Sequence, residues 1–488
     1  MTTLSFAPPT GLTDTERELY QLNLAQLTEK YNRAVMRSNF YNTRKLLDEV
    51  GFSIPPNMRN IEAVLGWPAK AVDGLASRLK LIGFVEPGQA EPNEDLDYLF
   101  AQNRMAIEWP MTQISTLTHG CAFVAVTPGD VAGGEPEVLI QTMPATEATG
   151  IWDVRKRRLT SALWQPEMEA MQKTRAILFT EENTVEMSRD RTGPWTIKRT
   201  PNKLPRLPVT MVVHRPQLTR PYGASRINRS VQYLTQLAMR TLLRTEVSAE
   251  FYSSPQRYAM GADPEAFIGE DGEAITAWET VLGKVWLMGK DEDGDVPSVG
   301  QFAQATMQPH IEMMRMITTL FAGETSLPVS TLGIVHDNPA SAAAIDAAWA
   351  DMVQQAELSQ VELGIPVLEI AQNALMVSEN KRELTKPLVL MKPKWTDPSI
   401  PTRSAMADAV TKEIAAGVLL PHSRIALEKL GYAESEIVQI QAEHKAAKEE
   451  QAQLDAQVMN PVPGGPPSAP GNSGAPPAKP GASFPPGR

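Results

Sequence analysis

The run DEDGDV holds the residues best placed for ion chemistry. Asp291, Asp293 and Asp295 alternate as the first ligands of an EF-hand calcium loop do, with Glu292 among them. The pattern then fails, because Val296 stands where the turn requires Gly and Phe302 where the bidentate Glu belongs. The spacing favours an acidic solvated turn, so no metal or other cofactor is expected. The histidines, at positions 119, 214, 310, 336, 422 and 444, are scattered, with no pair at ligand spacing on one helix face. Walker A, H-E-x-x-H, G-x-S-x-G and Gly-rich dinucleotide motifs are absent. The single cysteine, Cys121, rules out an intrachain disulfide or Cys-rich zinc site, and its apolar setting in CAFVAV marks a small buried residue. No catalytic residue is expected. The enzyme hypothesis that survives is metal-dependent DNA processing on Asp291, Asp293 and Asp295.

Cations show more order. Placed at helical intervals, the segment from Ala224 to about Phe251 puts Ile227, Val231, Leu234, Ala238, Leu242, Thr245 and Ala249 on one face. Arg226, Arg229, Arg240 and Arg244 gather on another. They form a solvated stripe, pair with acidic groups of a neighbouring helix or subunit, or touch phosphates; pairing is the preferred reading. The formal charge of -11 argues against a broadly basic nucleic-acid surface, since neutralising phosphates needs excess Lys and Arg.

The elements that must position these groups are mostly helical. A capped amphipathic helix is expected from Asp14 to about Arg37, then a second containing IEAVLGWPAKAVDGLASRL with a kink at Pro68. CAFVAV, EVLIQTM, LTSALW, AILFT and TVEMS read as strands of a small, mostly antiparallel sheet. Residues 255–304 form a small module with one strand, KVWLMGK, and a Met-rich helix follows to about Ala322. In NPASAAAIDAAWADM, Asn338 caps a helix and Pro339 fills its first position; alanines propagate it, and Pro366 kinks it. A final helical unit precedes a Pro/Gly-rich tail expected to be disordered. The N-terminus carries no signal-peptide pattern and no uninterrupted apolar run is long enough to span a membrane, so a membrane-free aqueous setting is expected. The fold class is α+β, predominantly helical.

Four stretches, in this order, resemble the portal proteins of tailed bacteriophages, of the type common in phages of actinobacteria. They are FYNTRKLLDEVGFSIPPNMRNIEAVLGWPAKAVDGLASRLKLIGF, HRPQLTRPYGASRINRSVQYLTQLAMRTLLRTEVSAEFYSSPQRYAMG, GIVHDNPASAAAIDAA and KWTDPSIPTRSAMADAVTKEIAAGV. The resemblance implies a portal architecture with an α/β wing over 1–222, a first stem helix over 223–254 and a small α/β clip over 255–304. A second stem helix over 305–322, a tunnel loop over 323–338, a long kinked helix returning to the wing over 339–400 and a helical crown over 401–450 follow. The tail is 451–488.

It further implies a ring of about twelve copies at one capsid vertex, a sequence-independent conduit for packaging and ejecting double-stranded DNA. The implied partners are the terminase large subunit, a head–tail adaptor, and the major capsid and scaffolding proteins, with assembly in the host bacterial cytoplasm. Thr325, Ser326, Leu327, Pro328 and Val329 are the expected points of closest approach to DNA. Asp291, Glu292, Asp293 and Asp295 would present the clip surface to motor and adaptor. Such a ring would carry on the order of -130 formal charges, and a wall that binds phosphates weakly lets DNA slide. A metal-dependent enzyme and an open filament or shell subunit are the competing readings.

Overall fold

The computed structural model describes residues 9–47, 62–89, 91–166, 173–190, 193–253, 257–261, 296, 298–301, 306–333, 342–399 and 403–459. The chain divides into two units, Met1–Ser399 and Ile400–Arg488.

In the first unit, helix α1 (Asp14–Tyr41) opens with a capping box: Thr13 and Glu16 each accept from the other's backbone N–H. Helix α2 (Trp67–Ala76) begins later than expected. Pro68 lies in its first turn and causes no kink, since a proline there sacrifices no helical hydrogen bond. Strand β1 (Leu81–Val85), helix α3 (Glu94–Gln102) and helix α4 (Met105–His119) lead into the strands. These are β2 (Cys121–Pro128), β3 (Val138–Pro144), β4 (Ala148–Asp153), β5 (Arg158–Trp164), β6 (Lys173–Phe179), β7 (Asn183–Asp190), β8 (Thr196–Pro201) and β9 (Val209–Val213).

They form two antiparallel sheets where one was expected, in the orders β3-β2-β9 and β4-β5-β6-β7-β8. Both faces of β2 are covered, which is why CAFVAV is apolar without alternation. Cys121, Phe123 and Ala125 join Leu159, Ala162, Ile177 and Phe179 in a core between the sheets. Val124 and Val126 face the main helical core. Helix α1 lies on the larger sheet, where Tyr20 is buried and Asn23 Nδ2 donates to Ser161 Oγ at 2.8 Å.

Helix α5 (Arg229–Ser253) starts after Ala224–Asn228, not at Ala224. Its buried seam drifts from the expected face: Leu243 and Val247 are buried, while Ala249 is exposed. Of the module over 255–304 the described part is a two-stranded ribbon, β10 (Arg257–Met260) with β11 (Ser298–Gln301); KVWLMGK lies outside the described residues. Helix α6 (Gln308–Thr325) packs against α5 and runs past the expected end at Ala322.

Helix α7 (Ala342–Ser378) continues through Pro366 without interruption. By length and composition its span Ala344–Ser378 could cross a bilayer, but 67% of the apolar window is buried inside the chain, as in a core helix. The unit ends with α8 (Lys386–Leu390) and β12 (Lys392–Trp395), which pairs with β1.

The second unit contains α9 (Arg403–Ala415), α10 (Arg424–Lys429) and α11 (Glu434–Met459). Among the described residues Val410, Ala426, Leu427 and Ile437 are its buried apolar side chains, and Lys429 Nζ reaches Glu413 Oε2 at 2.7 Å. Helix α11 extends into the segment expected to be tail, because EEQAQLDAQVM contains only helix-tolerant residues before the Asn-Pro step at Asn460. The rest of the tail lies outside the described residues.

Candidate functional site

The chain between β9 and α5 turns sharply at Gly223. Its φ is +68°, and a Cβ would stand 2.3 Å from the His214 carbonyl oxygen and 2.7 Å from that of Gly120. The turn delivers Arg226 to the interior, where it is only 6% exposed. Its Nε donates to the Ala71 carbonyl in α2, Nη1 to Gln355 Oε1 in α7 at 2.8 Å, and Nη2 to the Thr325 carbonyl closing α6 at 2.6 Å. Met352 Sδ lies 3.7 Å from Nη2. One guanidinium thereby fastens three helices to the turn before a fourth.

None of these acceptors is a carboxylate. Burial, aided by repulsion from Arg215, pushes the Arg226 pKa down to about 10, so the group keeps its charge at neutral pH. Carbonyl and amide dipoles solvate it in place of water.

Further bonds hold the segment after α6. Ser326 adopts φ +54° as the helix C-cap, and its hydroxyl accepts from Gln355 Nε2 at 2.6 Å. Asn228 Oδ1 accepts from the Val231 N–H while its Nδ2 donates to Glu324 Oε1 at 2.6 Å. Lys70 Nζ donates to the Thr331 carbonyl at 2.7 Å. Leu327 enters the core beside α2, where a Cβ on Gly74 would stand 2.9 Å from its Cδ2.

These contacts correct two expectations. Arg226 does not share a helical face with Arg229, Arg240 and Arg244, because the helix begins after it; it is an internal pin. Arg229 is exposed, Arg240 and Arg244 are half-buried, and none of the three forms an ion pair among the described residues.

Thr325, Leu327 and Pro328, expected nearest to DNA, are buried within the chain. Helix α6 includes Thr325, whose hydroxyl donates back to the Phe321 carbonyl at 2.7 Å; Leu327 then enters the main core, and Pro328 is buried. Ser326 and Val329 are half-buried; Gly323, Glu324, Ser330 and Gly333 are the exposed residues here.

Pro366 is buried in α7. Asn338 and Pro339, and likewise Asp291, Glu292, Asp293 and Asp295, lie outside the described residues. Among the described residues no group of three or more His, Cys, Asp or Glu side chains could hold a metal ion. His422 and His444 do meet, on the surface of the second unit, with ring centroids 4.0 Å apart.

Gln355, Asn228 and Lys70 are the residues sequence reasoning missed. Gln355 lies 129 positions from Arg226, and no local spacing signals such a partner.

The phage portal protein family of SPP1 Gp6-like type matches residues 21–450 of the chain. The chain is similar to the portal protein of Mycobacterium phage L5, with 28% identity over 443 residues, 89% of each chain. Its similarity to the portal protein of Mycobacterium phage D29 is also 28%, over 447 residues and 90% of each. A chain in the neck of a native GTA particle, computed with C12 symmetry, aligns at a TM-score of 0.38 and 14% identity, covering 75% of this chain and 90% of that one.

Proposed function

The chain belongs to the SPP1 Gp6-like family of phage portal proteins, and from that premise we propose that it is a ring subunit lining the DNA conduit of a phage head. Portal proteins are structural components of the virion at a capsid vertex. The proposed ring of about twelve copies admits double-stranded DNA during packaging and releases it at ejection, without turnover of its own.

The outward side of α7 supports this reading. Ala347, Ala348 and Ala350 are exposed, and farther along Leu358, Val361 and Ile365 are 61%, 68% and 71% exposed. Leu358, Val361 and Ile365, spaced three and four residues apart, make one apolar stripe. A lone copy leaves it in water; a neighbour in a closed ring covers it.

In the proposed ring the loop over 323–338 faces the channel through exposed positions such as Ser330 and Gly333, in place of the buried Thr325, Leu327 and Pro328. Arg240 and Arg244 pair with acidic groups of adjacent copies. The clip, including Asp291, Glu292, Asp293 and Asp295, docks the terminase large subunit and later the head–tail adaptor. The second unit forms the crown.

Native mass spectrometry with negative-stain class averages of the purified chain tests the proposal. A closed ring with a central hole is expected. A stable monomer or dimer that cleaves DNA in a metal-dependent manner overturns it.

A further inference from the structure

A cavity of about 600 Å³ opens between the C-terminal half of α1, the start of β2 and the turn that carries Tyr222 and Gly223. Lys30, Arg33 and Arg37 line it from one face of α1, joined by Arg220 from the turn, Arg229 from the start of α5, and His119. Among the described residues no carboxylate lines it. None of the five Lys and Arg side chains forms an ion pair among the described residues. In a chain of net charge -11, this concentration of uncompensated positive charge is local and unusual.

Two of its inner members, Arg37 and His119, are incompletely bonded. Arg37 Nη1 donates to the His119 carbonyl at 2.6 Å, but Arg37 Nε and His119 Nδ1 are buried with no partner. Lys30 Nζ sits 3.2 Å from the centroid of the Tyr222 ring and donates to the Gln26 side-chain oxygen at 2.7 Å, a neutral acceptor that leaves the ammonium charge uncompensated. Burial and the charge of Arg33 push Lys30 down to about 8 and Arg37 to about 10. An anion entering the recess would relieve both costs, by supplying acceptors to orphaned donors and opposite charge to crowded cations.

We propose that this cavity is a binding site for a multivalent phosphoryl anion, a free polyphosphate or the phosphate of a nucleic-acid strand. The ligand class follows from the donors. Guanidinium forks present paired N–H groups that match phosphoryl oxygens, and several around one recess favour an anion of more than one charge. The volume lies within the range of small-molecule pockets, so a polyphosphate fits inside. The site is built within one chain and does not depend on ring assembly.

Calorimetric titration of the full chain with sodium tripolyphosphate, at matched ionic strength against chloride, tests it. One saturable site per chain is expected, weakened roughly tenfold in Arg33→Ala/Arg220→Ala, whose side chains are exposed and dispensable for folding. Arg37→Gln, verified as folded by circular dichroism, should weaken it likewise. A parallel titration with a short DNA duplex separates the sources: competition between duplex and tripolyphosphate identifies backbone phosphate as a ligand, and tripolyphosphate binding alone identifies the free anion. No anion-specific heat, or equal binding by the double variant, overturns the proposal. So does loss of assembly in the variants without any phosphate binding, which would assign the cavity to an acidic surface of a second copy.

Discussion

Arg226 and His119 illustrate opposite solutions to burying a basic side chain. Arg226 stays charged because three acceptors from distant segments surround it. Arg226→Ala leaves those acceptors unsatisfied in the core and should cost about 3–5 kcal/mol in urea unfolding. Arg226→Lys keeps the charge but lacks the planar fork that reaches several directions, so roughly half that loss is expected. His119 stays neutral instead: burial, with Arg37 nearby, lowers its pKa from 6.5 to about 4. Its folded pKa lies below its unfolded one, so between pH 6.5 and about 4 the unfolded chain binds a proton that the folded chain refuses. Stability therefore falls as pH drops through this window, by at most about 3 kcal/mol from His119, with His214, also lowered by burial, adding in the same direction. Thermal unfolding in phosphate-free buffer from pH 7 to 4 should show the decline, and His119→Gln should reduce its slope. An unchanged slope would remove His119 as a cause.

The elements were legible where a local signal coincided with burial. The Thr13 capping box announced α1, and the unalternating CAFVAV marked a strand covered on both faces. Boundaries failed where long-range contacts decide them. Helical periodicity could be extended back to Ala224, yet the tight turn at Gly223 and the partners of Arg226 keep Ala224–Asn228 out of the helix. The resemblance implies a loop through Thr325, Leu327 and Pro328, but α6 persists through Thr325, the main core takes the Leu327 side chain, and Pro328 is buried. Strands β4 and β9 were missed because they are short and lie beside turn residues, and their pairing with distant segments defines them. Of the candidate site, the sequence exposed the arginines and the loop as parts; only tertiary packing shows that Arg226 joins them.

At the scale of the whole molecule, the proposed ring needs a surface on which one copy closes against the next. A lone chain exposes the stripe of Leu358, Val361 and Ile365 on a helix whose C-terminal part is buried, a poor arrangement for a monomer and a reasonable one for a subunit. Val361→Asp places one carboxylate in that stripe in every copy. Because Val361 is 68% exposed, the fold of the isolated chain should change by less than about 0.5 kcal/mol. In a closed ring each copied carboxylate is desolvated at an apolar contact, and the cost repeats at every interface. The expected result is loss of the ring by native mass spectrometry with an unchanged circular dichroism spectrum. Val154, 82% exposed in the turn between β4 and β5, supplies the control, since Val154→Asp should leave assembly intact. A ring that survives Val361→Asp would move the interface away from α7, while loss of the ring in both variants would show that added negative charge alone opposes assembly of a chain already at -11.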